Sequence, residues 1–169
     1  MDEAFWQRIP GYDNLTVTDP DTMQAPWFQT DMRWFYTDKG MYIGVHMKQP
    51  PETLLARLSS RDEFPNRDSW AITLDTSGAG LYGYWFTVNL GGSVMDGKVA
   101  AERQYSTEWD GPWESATVEL GDGWSAEMFL PWLMMTMPDS DGDQRNFGFC
   151  VNRRVAYVDE RWTWPALPF

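Results

Sequence analysis

An antiparallel β-sandwich of jelly-roll type, with one short helix at most, is the fold class that this 169-residue chain predicts. Three observations predict it. Apolar residues recur with period two through most of the chain and almost nowhere with the period of a helix. Turn residues break that pattern at short, regular intervals. Two of the breaks, Asp38-Lys39-Gly40 and Gly121-Asp122-Gly123, are hairpin signals between alternating runs. About eight or nine strands spaced in this way pack as two antiparallel sheets.

The elements follow in order. Thr30–Tyr36 sets Met32, Trp34 and Tyr36 against Asp31, Arg33 and Phe35, and the first turn leads into a partner strand over Met41–Met47. Pro50-Pro51-Glu52 stops that strand. Thr53–Leu58 carries the pattern of a short helix, and Ser59–Asp68 reads as a polar loop. In Ser69–Thr76, Trp70, Ile72 and Leu74 share a face, as do Tyr84, Phe86 and Val88 after Gly83. Asn89-Leu90-Gly91-Gly92 turns the chain into Val94–Arg103. Ser106–Pro112 then leads into Trp113–Leu120, where Ala116, Val118 and Leu120 alternate. Trp124, Ala126 and Met128 answer across the second hairpin until Leu130-Pro131-Trp132 ends the strand. A Met-rich turn and the acidic loop Asp139–Asp143 precede a run in which Phe147, Phe149 and Val151 alternate before Asn152-Arg153-Arg154. No linker or internal repeat divides the chain, so residues 1–169 read as one domain. The Met1-Asp2-Glu3 start reads like a cut into a longer polypeptide.

Composition narrows the partners. Thirteen basic against 25 acidic residues give a net charge of −12, which repels phosphate backbones and anionic membrane surfaces and argues against nucleic acid. The single Cys150 forms no internal disulfide, and one histidine, His46, cannot build a zinc cluster. No apolar run is long enough for a membrane helix, so direct membrane insertion is not expected. Nucleophile elbows, phosphate loops and Ser-His-Asp order are absent, and Asp75, Glu114 and Glu127 are indistinguishable from ordinary surface acids. The chain therefore reads as a non-enzyme.

Eleven tryptophans, seven tyrosines and nine phenylalanines exceed what a core of this length needs. A surplus of indoles suits a surface that meets a flat, amphipathic ligand such as a sugar ring. Trp34, Trp70 and Trp124 run in phase with apolar neighbours and read as core. Trp85 does not: it shares its face with Thr87 and Asn89. Trp109 and Trp113 flank Asp110-Gly111-Pro112, and Trp162 and Trp164 share a face of the closing segment. These five are the candidate stacking residues. Adjacent hydroxyls are best held by planar, multiply donating groups, for which Arg33, Arg61, Asn89, Asn152 and Arg153 are candidates. Calcium needs clustered oxygens, and the ligand candidates are Asp139, Asp141 and Asp143, with Asp19-Pro20-Asp21 a second acidic stretch.

An ordered set of motifs resembles a known family. Asp2-Glu3-Ala4-Phe5-Trp6 is followed by Met41-Tyr42-Ile43-Gly44, Arg61-Asp62, Asp68–Thr76 and Phe86-Thr87-Val88-Asn89. Trp109-Asp110-Gly111-Pro112-Trp113, Asp122-Gly123-Trp124-Ser125-Ala126-Glu127 and Phe147-Gly148-Phe149-Cys150-Val151-Asn152-Arg153 complete it. The order is similar to that of family 9 carbohydrate-binding-module-like domains, found at the N-terminus of large bacterial proteins of unknown function. The resemblance spans nearly the whole chain. It implies a non-catalytic module that holds an oligo- or polysaccharide between tryptophans, with structural calcium, outside the cytoplasm: secreted, periplasmic or outer-membrane-associated. It also places Arg61 and Asn152 at polar positions of that family. Two alternatives stay open. One is a structural or interaction domain that docks on the remainder of a larger, outer-membrane-associated polypeptide. The other is haem binding on the same sandwich, through His46, a lysine, or a methionine such as Met134, Met135 or Met137.

Overall fold

The computed structural model describes residues 4–139, 142 and 144–166. Eleven strands run along the chain: β1 (Thr16–Asp19), β2 (Thr30–Tyr36), β3 (Gly40–Lys48), β4 (Ser69–Asp75), β5 (Tyr82–Asn89), β6 (Val94–Ala100), β7 (Gln104–Ser106), β8 (Glu114–Leu120), β9 (Gly123–Pro131), β10 (Gly148–Val155) and β11 (Glu160–Trp164). Seven form one sheet in the order β1-β11-β10-β4-β5-β6-β7, and four form the other in the order β2-β3-β9-β8. Every pairing is antiparallel. Helical structure among the described residues is confined to four single 3-10 turns, so the chain is an all-β sandwich. No helix of the described residues is long and apolar enough to cross a membrane.

The two inner faces meet in one apolar layer. Met32, Ile43, Val45, Met47, Trp124, Met128 and Leu130 of the smaller sheet face Trp70, Ile72, Leu74, Phe86, Val88, Val151 and Trp162 of the larger. The in-phase tryptophans Trp70 and Trp124 are fully buried, whereas Trp34 is partly buried at the edge of the layer.

Three expectations need correction, and one strand lies outside those expected. No helix forms over Thr53–Leu58. A 3-10 turn takes Pro51–Thr53, and the chain extends from Leu54 because the Asp68 carboxylate accepts the Leu55 N–H at 2.8 Å. The Val94–Arg103 run is shorter than expected, since Glu102 and Arg103 adopt positive φ and fold the chain back into β7. The short strand β1 is not expected from the sequence, because its four residues carry little periodicity, whereas β11 contains the closing segment whose Trp162 and Trp164 share a face. In β8 the alternation is inverted. Ser115 and Thr117 stand opposite Met128 and Ala126, Thr117 donates its hydroxyl to the Leu90 carbonyl at 3.1 Å, and Ala116 and Val118 face outward.

Arg153 bolts the sheets together. It lies on β10, has no exposed surface, and donates to Gln29 O (3.1 Å), Thr30 Oγ1 (3.0 Å), Lys48 O (2.9 Å) and Gln49 Oε1 (3.0 Å) across the interface. Gln49 passes the chain of bonds on to the buried Asp68, which also accepts the Leu55 and Ala156 N–H groups. Burial pushes the Arg153 guanidinium below its ordinary value, and the charges of Asp68 and Asp13 work the other way. The network draws on residues far apart in sequence, so it fixes how the sheets sit on each other.

Candidate functional site: a groove on the outer face of the larger sheet

Strand parity sorts the candidate residues. In the larger sheet, Cys150, Thr73, Trp85 and Gly97 align across β10, β4, β5 and β6, with Asn152, Ala71, Thr87 and Met95 in the next row. These rows are opposite in phase to the core residues Val151, Ile72 and Phe86, so they form the outer face. The groove on that face has a volume of about 770 Å³. Its floor is Ser69, Ala71, Thr73 and Thr87.

One wall is aromatic. Trp85 is only 5% exposed, and its indole N–H donates to Lys98 O at 3.2 Å. The indole leans over Gly97, where a Cβ would stand 3.0 Å from Nε1. Two exposed rings flank it: Tyr105 at 6.0 Å and Phe64 at 6.3 Å between centroids. They are 61% and 72% exposed, so the accessible ring surface of this wall belongs to them and not to the tryptophan.

The facing wall is polar. Asn152 and Arg154 of β10, Arg161 of β11 and Asp19 at the end of β1 line it, together with Asp159 from the β10–β11 turn. Arg154 is paired with Asp159, and Arg161 with Asp19 at 3.0 Å. Arg67, from the segment before β4, completes the lining. It is buried and donates to Arg57 O, Ser59 Oγ and Glu63 O. Burial pushes its guanidinium below the ordinary value, opposed by the through-space charge of Glu63. Rings on one side and forked donors and acceptors on the other can stack a sugar and hold its hydroxyls.

Of the candidate residues read from sequence, this groove gathers Trp85 and Asn152. Trp162 is fully buried, with its N–H donated to Glu160 at 2.7 Å, and Arg153 is the buried bolt. Asn89 is fully buried and donates to Ser93 O in its own hairpin, on which Gly91 packs against Arg57. These three are removed from any ligand-facing role by burial. Trp109 and Trp113 pack edge-on against Phe86, Trp109 also leaning on Tyr84, so they close one side of the core. Arg33 is engaged with Asp31 and with Trp6 O. Trp164 lies at one end of the sandwich, in a cavity of about 910 Å³ shared with Trp34, Trp132, Phe147 and Phe149. There the rings occupy one another: Trp132 stacks on Phe147 at 5.6 Å and Trp34 on Tyr12 at 4.6 Å, while Trp164 meets Phe149 edge-on.

Arg61 stands elsewhere again. Asp62, Asp96 and Asp110 bring carboxylate oxygens within 4.8 Å of one another, the spacing of a cation site. The Arg61 guanidinium sits among them, bonded to Asp96 and, at 2.6 Å, to Asp110. Burial disfavours its charge, but the two aspartates outweigh burial and hold its pKa above the ordinary value. Burial pushes Asp96 up against the Gly111 N–H and Arg61 that stabilise its ionised form. This acidic trio already holds a cation, and it comes from the protein. Of the calcium candidates, Asp139 is exposed, and Asp141 and Asp143 lie outside the described residues.

Phe64, Tyr105, Arg67, Arg154 and Arg161 were missed in the sequence. Arg154 and Arg161 had a legible signal, because each lies two residues from an outward position of its strand. Phe64 and Arg67 sit in an irregular segment with no periodicity to place them.

No family model matches the chain, and no curated protein matches it in sequence. Solved structures do match in shape. A family 9 carbohydrate-binding module from Caldicellulosiruptor kristjanssonii in complex with cellotriose superposes with a TM-score of 0.64 at 15% identity, over 96% of this chain and 75% of that one. The module from the same organism in complex with glucose gives 0.60 at 15% identity, over 96% and 76%. A proposed carbohydrate-binding protein from Bacteroides uniformis ATCC 8492 gives 0.68 at 14% identity, over 95% and 80%. The chain has the fold of the family 9 carbohydrate-binding modules.

Proposed function

We propose that the protein is a non-catalytic carbohydrate-binding module whose ligand lies in the groove between the Phe64–Trp85–Tyr105 wall and the Asn152–Arg154–Arg161 wall. The observation that carries this reading is the pairing of exposed rings with forked polar groups across one outer face. Two structures similar in fold hold cellotriose and glucose, which supports a saccharide as the ligand class. Tyr105 and Phe64 supply stacking faces, Trp85 supports them from below, and Asn152 offers a donor and an acceptor to vicinal hydroxyls. A stacked ring contact is worth about 1–2 kcal/mol, so Tyr105→Ala should weaken saccharide binding roughly 5- to 30-fold. The test is titration of tryptophan fluorescence with a panel of soluble oligosaccharides, Trp85 being the reporter. No saturable response from folded protein across the panel would refute the reading.

A specific observation favours a second reading, an interaction domain within a longer polypeptide. Phe35, Tyr42 and Phe129 stack across three strands on the outer face of the smaller sheet, at 4.7 and 4.5 Å, and Val118 is exposed on the same face further along the edge strand β8, opposite Ser125. Rings stacked at the strand spacing turn their edges outward, which suits packing against protein better than stacking on sugar. Val118→Lys separates the readings: it should leave saccharide binding intact and abolish any association through this face.

A further inference from the structure

We infer that the groove selects an acidic saccharide, one whose carboxylate engages Arg154 and Arg161 while its ring lies against Tyr105. This rests on the saccharide reading above and names the ligand class of that same site.

The chain carries a net charge of −12, so its mean field disfavours an anion. The groove runs against that field. Its lining holds three guanidiniums, of Arg67, Arg154 and Arg161, against two carboxylates, of Asp19 and Asp159. The excess charge is also the most deeply set. Arg67 is 4% exposed, and its bonds go to Arg57 O, Ser59 Oγ, Glu63 O and Met95 Sδ, all uncharged atoms. Among the described residues no carboxylate is recorded within ion-pair distance of it; Glu63 acts only through space. A buried positive charge held by neutral dipoles is a standing attraction for an anion beside it.

The other two arginines are held by solvated carboxylates, Arg154 by Asp159 and, at 3.9 Å, by Asp19, and Arg161 by Asp19 at 3.0 Å. The side chains of Asp159 and Asp19 are 79% and 49% exposed. Pairs with such solvated carboxylates are weakly held and easily screened. A ligand carboxylate that displaces them gains the planar fork of a guanidinium, and the freed aspartates return to water. A neutral sugar offers no such exchange. Covering the groove with it would strip water from beside three guanidiniums and return no charge to them, which opposes binding.

The test uses calorimetric titration of the whole chain with oligogalacturonate, a neutral cello-oligosaccharide of equal length and a sulfated oligosaccharide, each at low and high salt. The expected result is that oligogalacturonate binds at least about tenfold tighter than the neutral sugar, with the margin shrinking in salt. The double variant Arg154→Gln, Arg161→Gln should erase the margin between the acidic and the neutral sugar while leaving the thermal midpoint near that of the parent. Tyr105→Ala should weaken both sugars. Equal or tighter binding of the neutral sugar, lost in Tyr105→Ala, would overturn the acidic preference and keep the saccharide reading. Binding of the sulfated sugar alone would overturn the carboxylate assignment. No binding of any sugar by folded protein would overturn both.

Discussion

Replacing Arg153 by Met should destabilise the fold by about 3–5 kcal/mol without touching the groove. The substitution keeps the length and most of the volume of the side chain, so the loss is not a cavity effect. What it removes is the shared donor of four acceptors, Gln29 O, Thr30 Oγ1, Lys48 O and Gln49 Oε1, of which, among the described residues, Gln29 O alone keeps a partner in the Lys48 N–H at 3.0 Å. Each buried acceptor left unpaired costs about 1–3 kcal/mol. The guanidinium's stacking on Trp162, at 4.9 Å from the ring centre, is lost as well. Against this stands the relief of no longer burying a charge whose pKa burial lowers. Apolar replacement of a buried ionic group is neutral or favourable only when its partners are replaced too, and here the backbone carbonyls cannot be. The losses therefore win. Urea unfolding at neutral pH measures the difference, and a thermal midpoint lower by roughly 10 °C is the matching calorimetric result. Arg153→Lys should fall between, because one ammonium cannot reach all four acceptors. A loss below about 1 kcal/mol for Arg153→Met, with an unchanged denaturant slope, would refute the idea that this network locks the sheets.

Three other outcomes follow from the same coordinates. Burial raises the Asp68 carboxyl above its usual value, although Leu55, Ala156, Gln49 and Arg153 all favour the ionised form, so the folded state takes up this proton more readily than the unfolded chain. The stability of the parent relative to Asp68→Asn should then rise as the pH falls from that raised value to the ordinary carboxylate pKa, and level off below; a constant difference in urea titrations across that window would be evidence against it. Asp75 behaves oppositely: burial pushes it up, but the bonds from Ser77 and Gly80 outweigh burial and lower it, so its contribution is present above the ordinary carboxylate pKa and is lost as pH falls through the depressed one. Asp75→Ala should cost about 1–3 kcal/mol at neutral pH, with the gap to the parent closing in strong acid. Gly97→Ala would place a Cβ 1.9 Å from Ser106 O and 3.0 Å from Trp85 Nε1. It should detach β7, lower stability by about 1–3 kcal/mol and abolish saccharide binding through Tyr105, as read by fluorescence titration.

Much of the fold was legible because antiparallel strands with one wet face advertise themselves. Trp70, Ile72 and Leu74 could only face a core, and the Asp38-Lys39-Gly40 and Gly121-Asp122-Gly123 hairpins pinned the register on either side of β3 and β9. The inverted phase of β8 was not legible, since Ala116 and Val118 are as apolar as any core pair. The register against the core residues Met128 and Ala126, and the Thr117–Leu90 bond between residues 27 apart, show which face is inward. The candidate site divides along the same line. Trp85 stands out because it breaks phase with its apolar neighbours, a property of one strand, and Asn152 and Arg153 because they are planar, multiply donating groups; the groove takes up Trp85 and Asn152. Arg153 was misread. It stands in phase with Val151 and Val155, so its position announced burial, yet its charge suggested a surface. Which interpretation of an arginine holds depends on whether four acceptors await it across the sandwich. Those acceptors come from residues more than 100 positions away, so no local pattern contains the answer. Arg67 poses the same question at the groove, where it is buried against Arg57 O, Ser59 Oγ, Glu63 O and Met95 Sδ, all contributed by irregular segments or a neighbouring strand that no local pattern links to it.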